Sequence, residues 1–205
     1  MALPTASSLR GASPLFVRRS HRMSGTAGSQ DYSEATAKYY KFNGCSDDEN
    51  KSSVTVNFNT GHVLTTDLPL RMGGKDQASQ PVECLLAAWA GCTQATALFV
   101  SRQMMRENKS CPLLERLEFV NITATRDERG ALALPIHEDP PVPSRLHTLT
   151  GNVVVWPSFD EESLQLLQEQ TELRCPVANM LIASGCRMNV KWINGDEKEN
   201  RRSLS

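Results

Sequence analysis

Residues 81–100 read "PVECLLAAWAGCTQATALFV", and after Glu83 this stretch carries no charge. Proline is tolerated in the first turn of a helix, so Pro81 reads as a helix start. The helix is predicted to run on to Arg106 or Glu107, about 40 Å at 1.5 Å per residue. From Leu85 to Val100 its only polar side chains are Thr93, Gln94 and Thr96, with Cys92 beside them. A helix that is apolar all round is either buried on every side or crosses a membrane. The run falls short of the ~20 apolar residues of a membrane helix and has Gln94 near its centre, so burial is the reading adopted. Ala87, Ala88, Ala90 and Gly91 are small enough to let another backbone approach. The expectation is a long central helix with the rest of the fold wrapped around it.

The flanking segments read as strands and shorter helices. "AKYYKF" (37–42) is a first candidate strand. "SVTVNFNTGHVLTTDL" (53–68) alternates on either side of Asn59-Thr60-Gly61, which is hairpin chemistry. "PLRMGGKDQASQ" (69–80) is a loop with paired glycines and one arginine, Arg71. Beyond the long helix, "LERLEFVNITATRDERG" and "LHTLTGNVVVW" read as strands separated by a proline-rich loop. "SFDEESLQLLQEQTELR" opens with Ser158 and Glu161 at capping-box spacing and carries Leu164, Leu167 and Leu173 as an apolar stripe. "CPVANMLIAS" is a further short helix stopped by Gly185, and "CRMNVKWI" is a last strand. Strands and helices do not alternate regularly, so an α+β fold with mainly antiparallel pairing is favoured over a Rossmann arrangement.

Composition narrows the function classes. The 205 residues are 40% hydrophobic and 22% charged, with a net charge of −1. Those values fit a soluble domain without the basic footprint needed for nucleic acid or an anionic membrane. His21, His62, His137 and His147 lie far apart, and no C-x-x-C pair occurs, so neither a metal nor any other cofactor is expected. Residues 1–30 carry Arg10, Arg18, Arg19 and Arg22, several serines and no acid. That is the composition of a transit peptide, with a mitochondrial address the expectation; the other reading is a disordered tail on a cytoplasmic protein. The domain is expected over 31–194, followed by a charged, flexible tail over 195–205.

The six cysteines do not read as a secreted disulfide framework, and reduced thiols are expected. Most buried cysteines are structural. Cys92 departs from that pattern because Gly91 and Thr93 leave room beside its sulfur. Cys175 departs because it precedes a helix, where free N–H groups and the dipole favour a thiolate. Cys84 is about 12 Å of helix away from Cys92, too far for a disulfide. Cys45, Cys111 and Cys186 show no special context.

Pro81, Glu83, Leu85-Leu86-Ala87-Ala88 and Gly91-Cys92-Thr93 together resemble the central-helix signature of the OsmC/Ohr family. Cys175-Pro176-Val177 resembles that family's second cysteine motif, in register and at a matching separation. The resemblance covers about residues 37–193. It implies an intertwined homodimer in which antiparallel sheet wraps the long helices and active sites lie at the subunit interface. It also implies a two-cysteine peroxidase that reduces organic hydroperoxides with a dithiol reductant. Cys92 would be the peroxidatic cysteine, Cys175 the resolving one, and Arg71 the active-site arginine. Hydroperoxide-reducing members have an acid directly after the proline, where this chain has Val82. Glu83 matches a second family acid and is a candidate partner for Arg71, with a first-turn capping role as the alternative. Trp89 and Leu85 either flank the sulfur as a site for organic substrates or are plain core. A non-enzymatic module that uses the fold for redox sensing or small-molecule binding is the competing function.

Overall fold

The computed structural model describes residues 37–195. The expected organelle address and the charged tail from Asp196 onward lie outside the described residues. The chain divides into two units, Met1–Lys41 and Phe42–Ser205. Residues 37–41 of the first unit form no strand, and Lys38 holds its ammonium 5.2 Å over the Tyr40 ring. The strand expected over 37–42 therefore begins only at Phe42. Phe42 pairs with Phe58, the last residue of the neighbouring strand, so the pairing register runs out there.

In the second unit, β1 (Phe42–Ser46), β2 (Val54–Phe58) and β3 (Val63–Thr66) form an antiparallel sheet in that order. The hairpin between β2 and β3 turns through Gly61, whose φ of 84° lies in the left-handed region. Phe42, Val63 and Leu64 stay exposed on these strands, so one chain does not cover this sheet.

The long helix α1 spans Pro81–Glu107. Its buried residues, Trp89, Thr93, Ala97, Val100, Ser101 and Met104, recur at mostly three- and four-residue intervals and mark a single face. Gly91 and Phe99 remain exposed elsewhere on it. Enclosure on all sides is therefore not achieved within one chain. The helix has the length and hydropathy of a membrane span, but its buried face packs on other elements of the domain.

Two polar side chains of α1 have a defined task. The Gln94 side-chain oxygen accepts a 2.7 Å hydrogen bond from the Leu117 N–H, and the Ser101 hydroxyl accepts one of 2.6 Å from the Leu114 N–H. Both N–H groups lie at the entry to β4 (Arg116–Arg126) and would otherwise go unpaired beside the core.

After β4 come a short helix α2 (Arg129–Leu132), β5 (Leu146–Trp156), α3 (Glu161–Arg174), α4 (Pro176–Ala183) and β6 (Arg187–Asn194). The second sheet has the order β4-β5-β6. β4 and β5 are antiparallel, whereas β5 and β6 are parallel because α3 and α4 form the crossover between them. The α+β class with mainly antiparallel pairing is thus observed, with one parallel pair. Leu149, Val153 and Val155 of central β5, together with Ala97 and Leu167, are fully buried at the heart of the core.

Two local expectations need correction. Asp160 caps α3 by accepting the Ser163 N–H at 2.8 Å, while the Ser158 hydroxyl donates to the Gly195 carbonyl. The acid lies at the residue preceding the first helical turn, where a carboxylate can reach the free N–H groups. Leu173 is exposed on α3, leaving Leu167 and the half-buried Leu164 as its inner face.

Candidate active site

Cys175 occupies the single residue between α3 and α4 and serves as N-cap of α4. Pro176 at the first helical position fixes the turn, and the Cys175 sulfur accepts the Ala178 N–H at 3.4 Å. The residue is wholly buried. From α1, Thr93 brings its hydroxyl oxygen to 3.9 Å from the same sulfur. The half-buried Cys92, next to Thr93 on α1, is close enough to act on the Cys175 thiol. The two cysteines, far apart in sequence, thus meet where α1 packs on α4.

The electrostatics of Cys175 differ from the expected thiolate. Burial pushes its thiol above the usual value, and the adjacent Cys92 adds to the rise. The Ala178 N–H and Thr93 hydroxyl pull in the opposite direction without winning. Desolvation of a charge outweighs one helix-end donor, so Cys175 rests as a thiol.

Arg71 lies in a short 3-10 turn, Leu70–Met72, ahead of α1. Its side chain is exposed and no ion pair to it is present among the described residues. The loop that carries it is built on Asp67, a fully buried carboxylate. The Leu68 N–H (2.7 Å) and Ser52 hydroxyl (2.7 Å) donate to one carboxylate oxygen. The Asn50 amide (2.9 Å) and the N–H groups of Gln77 (3.1 Å) and Lys75 (3.2 Å) donate to the other. Burial alone would raise the pKa of this acid, but the Gln77, Ser52, Leu68 and Asn50 hydrogen bonds together hold it well below the carboxylate range. The paired glycines serve the same loop. Gly73 adopts φ 86°, and a Cβ on Gly74 would fall 1.8 Å from the Leu68 carbonyl oxygen.

Glu83 does not contact Arg71 within the chain. Its carboxylate accepts the Gln80 N–H at 2.8 Å and completes a capping box at the start of α1. Trp89 is core: it is 3% exposed and meets Phe119 edge-on at 5.4 Å. Leu85 faces outward instead. A 520 Å³ cavity in the β4–β5 connection, lined in part by Arg129, Leu134 and Glu138, contains neither Cys92 nor Cys175. A second one of 400 Å³ lies beside Cys111 and also excludes both. Among the described residues, no group of three or more His, Cys, Asp or Glu is placed to hold a metal.

An α+β domain in which one long helix supplies a half-buried cysteine against a second, buried cysteine at a helix start defines a thiol-based protein class. The family model for OsmC-like proteins matches residues 74–191, more than half of the chain, and the chain belongs to that family. Solved structures share the fold. An OsmC-like protein from Mycoplasma pneumoniae is 21% identical with a TM-score of 0.54, covering 78% of this chain and 99% of its own. An organic hydroperoxide resistance protein from Elizabethkingia anophelis is 16% identical with a TM-score of 0.51, covering 77% and 99%. An organic hydroperoxide resistance protein OsmC from Legionella pneumophila is 16% identical with a TM-score of 0.50, covering 76% and 98%. A search of curated proteins gives no match. Two of these structures of the same fold are of organic hydroperoxide resistance proteins.

Proposed function

We propose that this protein is a thiol-dependent peroxidase that reduces organic hydroperoxides through Cys92 and Cys175. The observation that carries the reading is the meeting of a half-buried Cys92 with a buried Cys175 where α1 packs on α4. The Cys92 thiolate attacks the distal oxygen of ROOH, the O–O bond breaks, and the alkoxide leaves and takes up a proton as ROH. Cys92 is then a sulfenic acid, which Cys175 converts to a disulfide with release of water. A dithiol reductant restores both thiols. Thiolate formation alone supplies one to two orders of magnitude, since a thiol of pKa ~8.5 is already a few per cent ionised near pH 7. Charge on the departing oxygen needs a donor as well, and Arg71 is assigned that task. Among the described residues its exposed guanidinium has no carboxylate partner to compete for it, and Glu83 keeps its capping role.

The working unit is proposed to be a homodimer. The open side of α1 and the uncovered β1–β3 sheet are apolar surfaces that a second copy would bury. Sedimentation should give a dimer at micromolar concentration; a stable folded monomer would contradict this. Residues 1–30 are proposed as a mitochondrial address outside the catalytic domain.

Turnover of an organic hydroperoxide against hydrogen peroxide, with a dithiol reductant, tests the activity. Arg71→Met should lower kcat/KM at least about tenfold, corresponding to ~1.4 kcal/mol of transition-state stabilisation. Thermal stability should hardly change, because the side chain is exposed. Unchanged kinetics would remove Arg71 from the site. Hydroperoxide that is bound but never reduced by the wild type would favour the binding or sensing module.

A further inference from the structure

The Thr93 hydroxyl lies 3.9 Å from the Cys175 sulfur, and the Ala178 N–H lies 3.4 Å from it on another element. Thr93 and Ala178 are both almost completely buried, so water does not compete for the sulfur from their side. We propose that Thr93 is a positioning residue which, with the Ala178 N–H, forms a two-donor cradle for Cys175 as the attacking thiolate during disulfide formation. The inference rests on the peroxidase reading and concerns only its second step.

The step requires such a cradle. Cys175 gives up its proton and its sulfur electron pair attacks the Cys92 sulfur. The S–S bond forms as the S–OH bond breaks, and the departing hydroxide takes a proton to become water. The two electrons that Cys92 gave to the hydroperoxide stay in the alcohol and water, and the resulting two-electron oxidation is then shared by both sulfurs as one disulfide. Burial opposes the thiolate on which this attack depends. A resting thiol is protected from oxidation, but it must ionise inside the domain once Cys92 is a sulfenic acid. A hydroxyl can serve both states, because it accepts from the S–H and then rotates to donate to S⁻. The backbone N–H donates throughout. Sequence adjacency adds a geometric advantage. One residue along a helix turns the side chain by about 100°, so Cys92 takes a half-buried position while Thr93 sits on the inner face against Cys175.

Single-turnover experiments on the full chain test this. The reduced protein is mixed with one equivalent of cumene hydroperoxide, and two steps are followed: hydroperoxide loss, and decay of the dimedone-reactive sulfenic acid. Thr93→Val, close in shape but without the hydroxyl, should slow the second step about tenfold or more, with the first within about twofold. Dimedone-labelled Cys92 should accumulate accordingly. Thr93→Ser, which restores the hydroxyl, should recover most of the rate. Should the valine variant not fold, Thr93→Ala against Thr93→Ser gives the same comparison. Sulfenic acid decay at the wild-type rate without the hydroxyl would overturn the cradle. So would an equal slowing in the serine variant, which would make the effect one of packing. A wild type that forms no Cys92–Cys175 disulfide would overturn the peroxidase reading and the cradle with it. A wild type that forms it normally while the variants do too would overturn the cradle alone.

Discussion

Cys92→Ser should reduce hydroperoxide turnover to the background rate of the reductant alone. A serine hydroxyl is scarcely ionised near pH 7 and is a far poorer nucleophile toward the O–O bond. It also has no equivalent of the sulfenic acid, so neither step can proceed. The position is half-buried and the change is nearly isosteric, so the fold should remain intact, with a thermal midpoint within a few degrees of wild type. The comparison is informative because exposed Cys45 and half-buried Cys84 remain as reporters of nonspecific thiol oxidation. Substantial turnover in the variant would move the chemistry to another cysteine.

Asp67→Ala should be among the most damaging single changes. It strands the N–H groups of Leu68, Lys75 and Gln77 and the Asn50 amide around an emptied buried site, leaving the Ser52 hydroxyl only its Asn50 acceptor. The thermal midpoint should fall by roughly 5 °C or more, and the loop carrying Arg71 should lose protection from proteolysis. Asp67→Asn keeps two of the acceptor sites at most, and should lie between the alanine variant and wild type. The pH dependence has a defined sign. The native carboxyl is depressed relative to the unfolded value of about 3.9, so its contribution is fully present above that value. It is lost as pH falls below about 4 toward the depressed native pKa. Removing Asp67 should therefore flatten the stability curve below about pH 4 and leave its slope above pH 5 unchanged. Urea midpoints measured from pH 2.5 to 7 check this. An identical acid slope in wild type and Asp67→Asn would show that other groups govern acid unfolding.

Much of this architecture was legible because local signals agreed with one another. The proline start and the apolar run marked α1, the Asn59-Thr60-Gly61 turn marked its hairpin, and Pro176 and Gly185 bracketed α4. The polar residues inside α1 were less readable, because periodicity ranks hydrophobicity and says nothing about partners. Gln94 and Ser101 pin the backbone before and at the start of β4, and Thr93 reaches Cys175, contacts between segments distant in sequence. Asp67 carried no local signal at all. An acid at the end of a strand looks solvated until the loop closes over it. Cys175 shows the same limit: a helix start is visible in sequence, whereas the burial that pushes its thiol up is not.

A non-reducing peptide map after reaction with one equivalent of an organic hydroperoxide decides whether Cys92 and Cys175 act together. The account predicts rapid loss of two thiols per chain and one disulfide, Cys92–Cys175, formed within the chain. Cys175→Ser should lose only one thiol, with Cys92 trapped as a sulfenic acid that excess peroxide drives to the sulfinic acid. Linkage through Cys45, Cys84, Cys111 or Cys186 instead, or six free thiols after the hydroperoxide has been supplied, would contradict it.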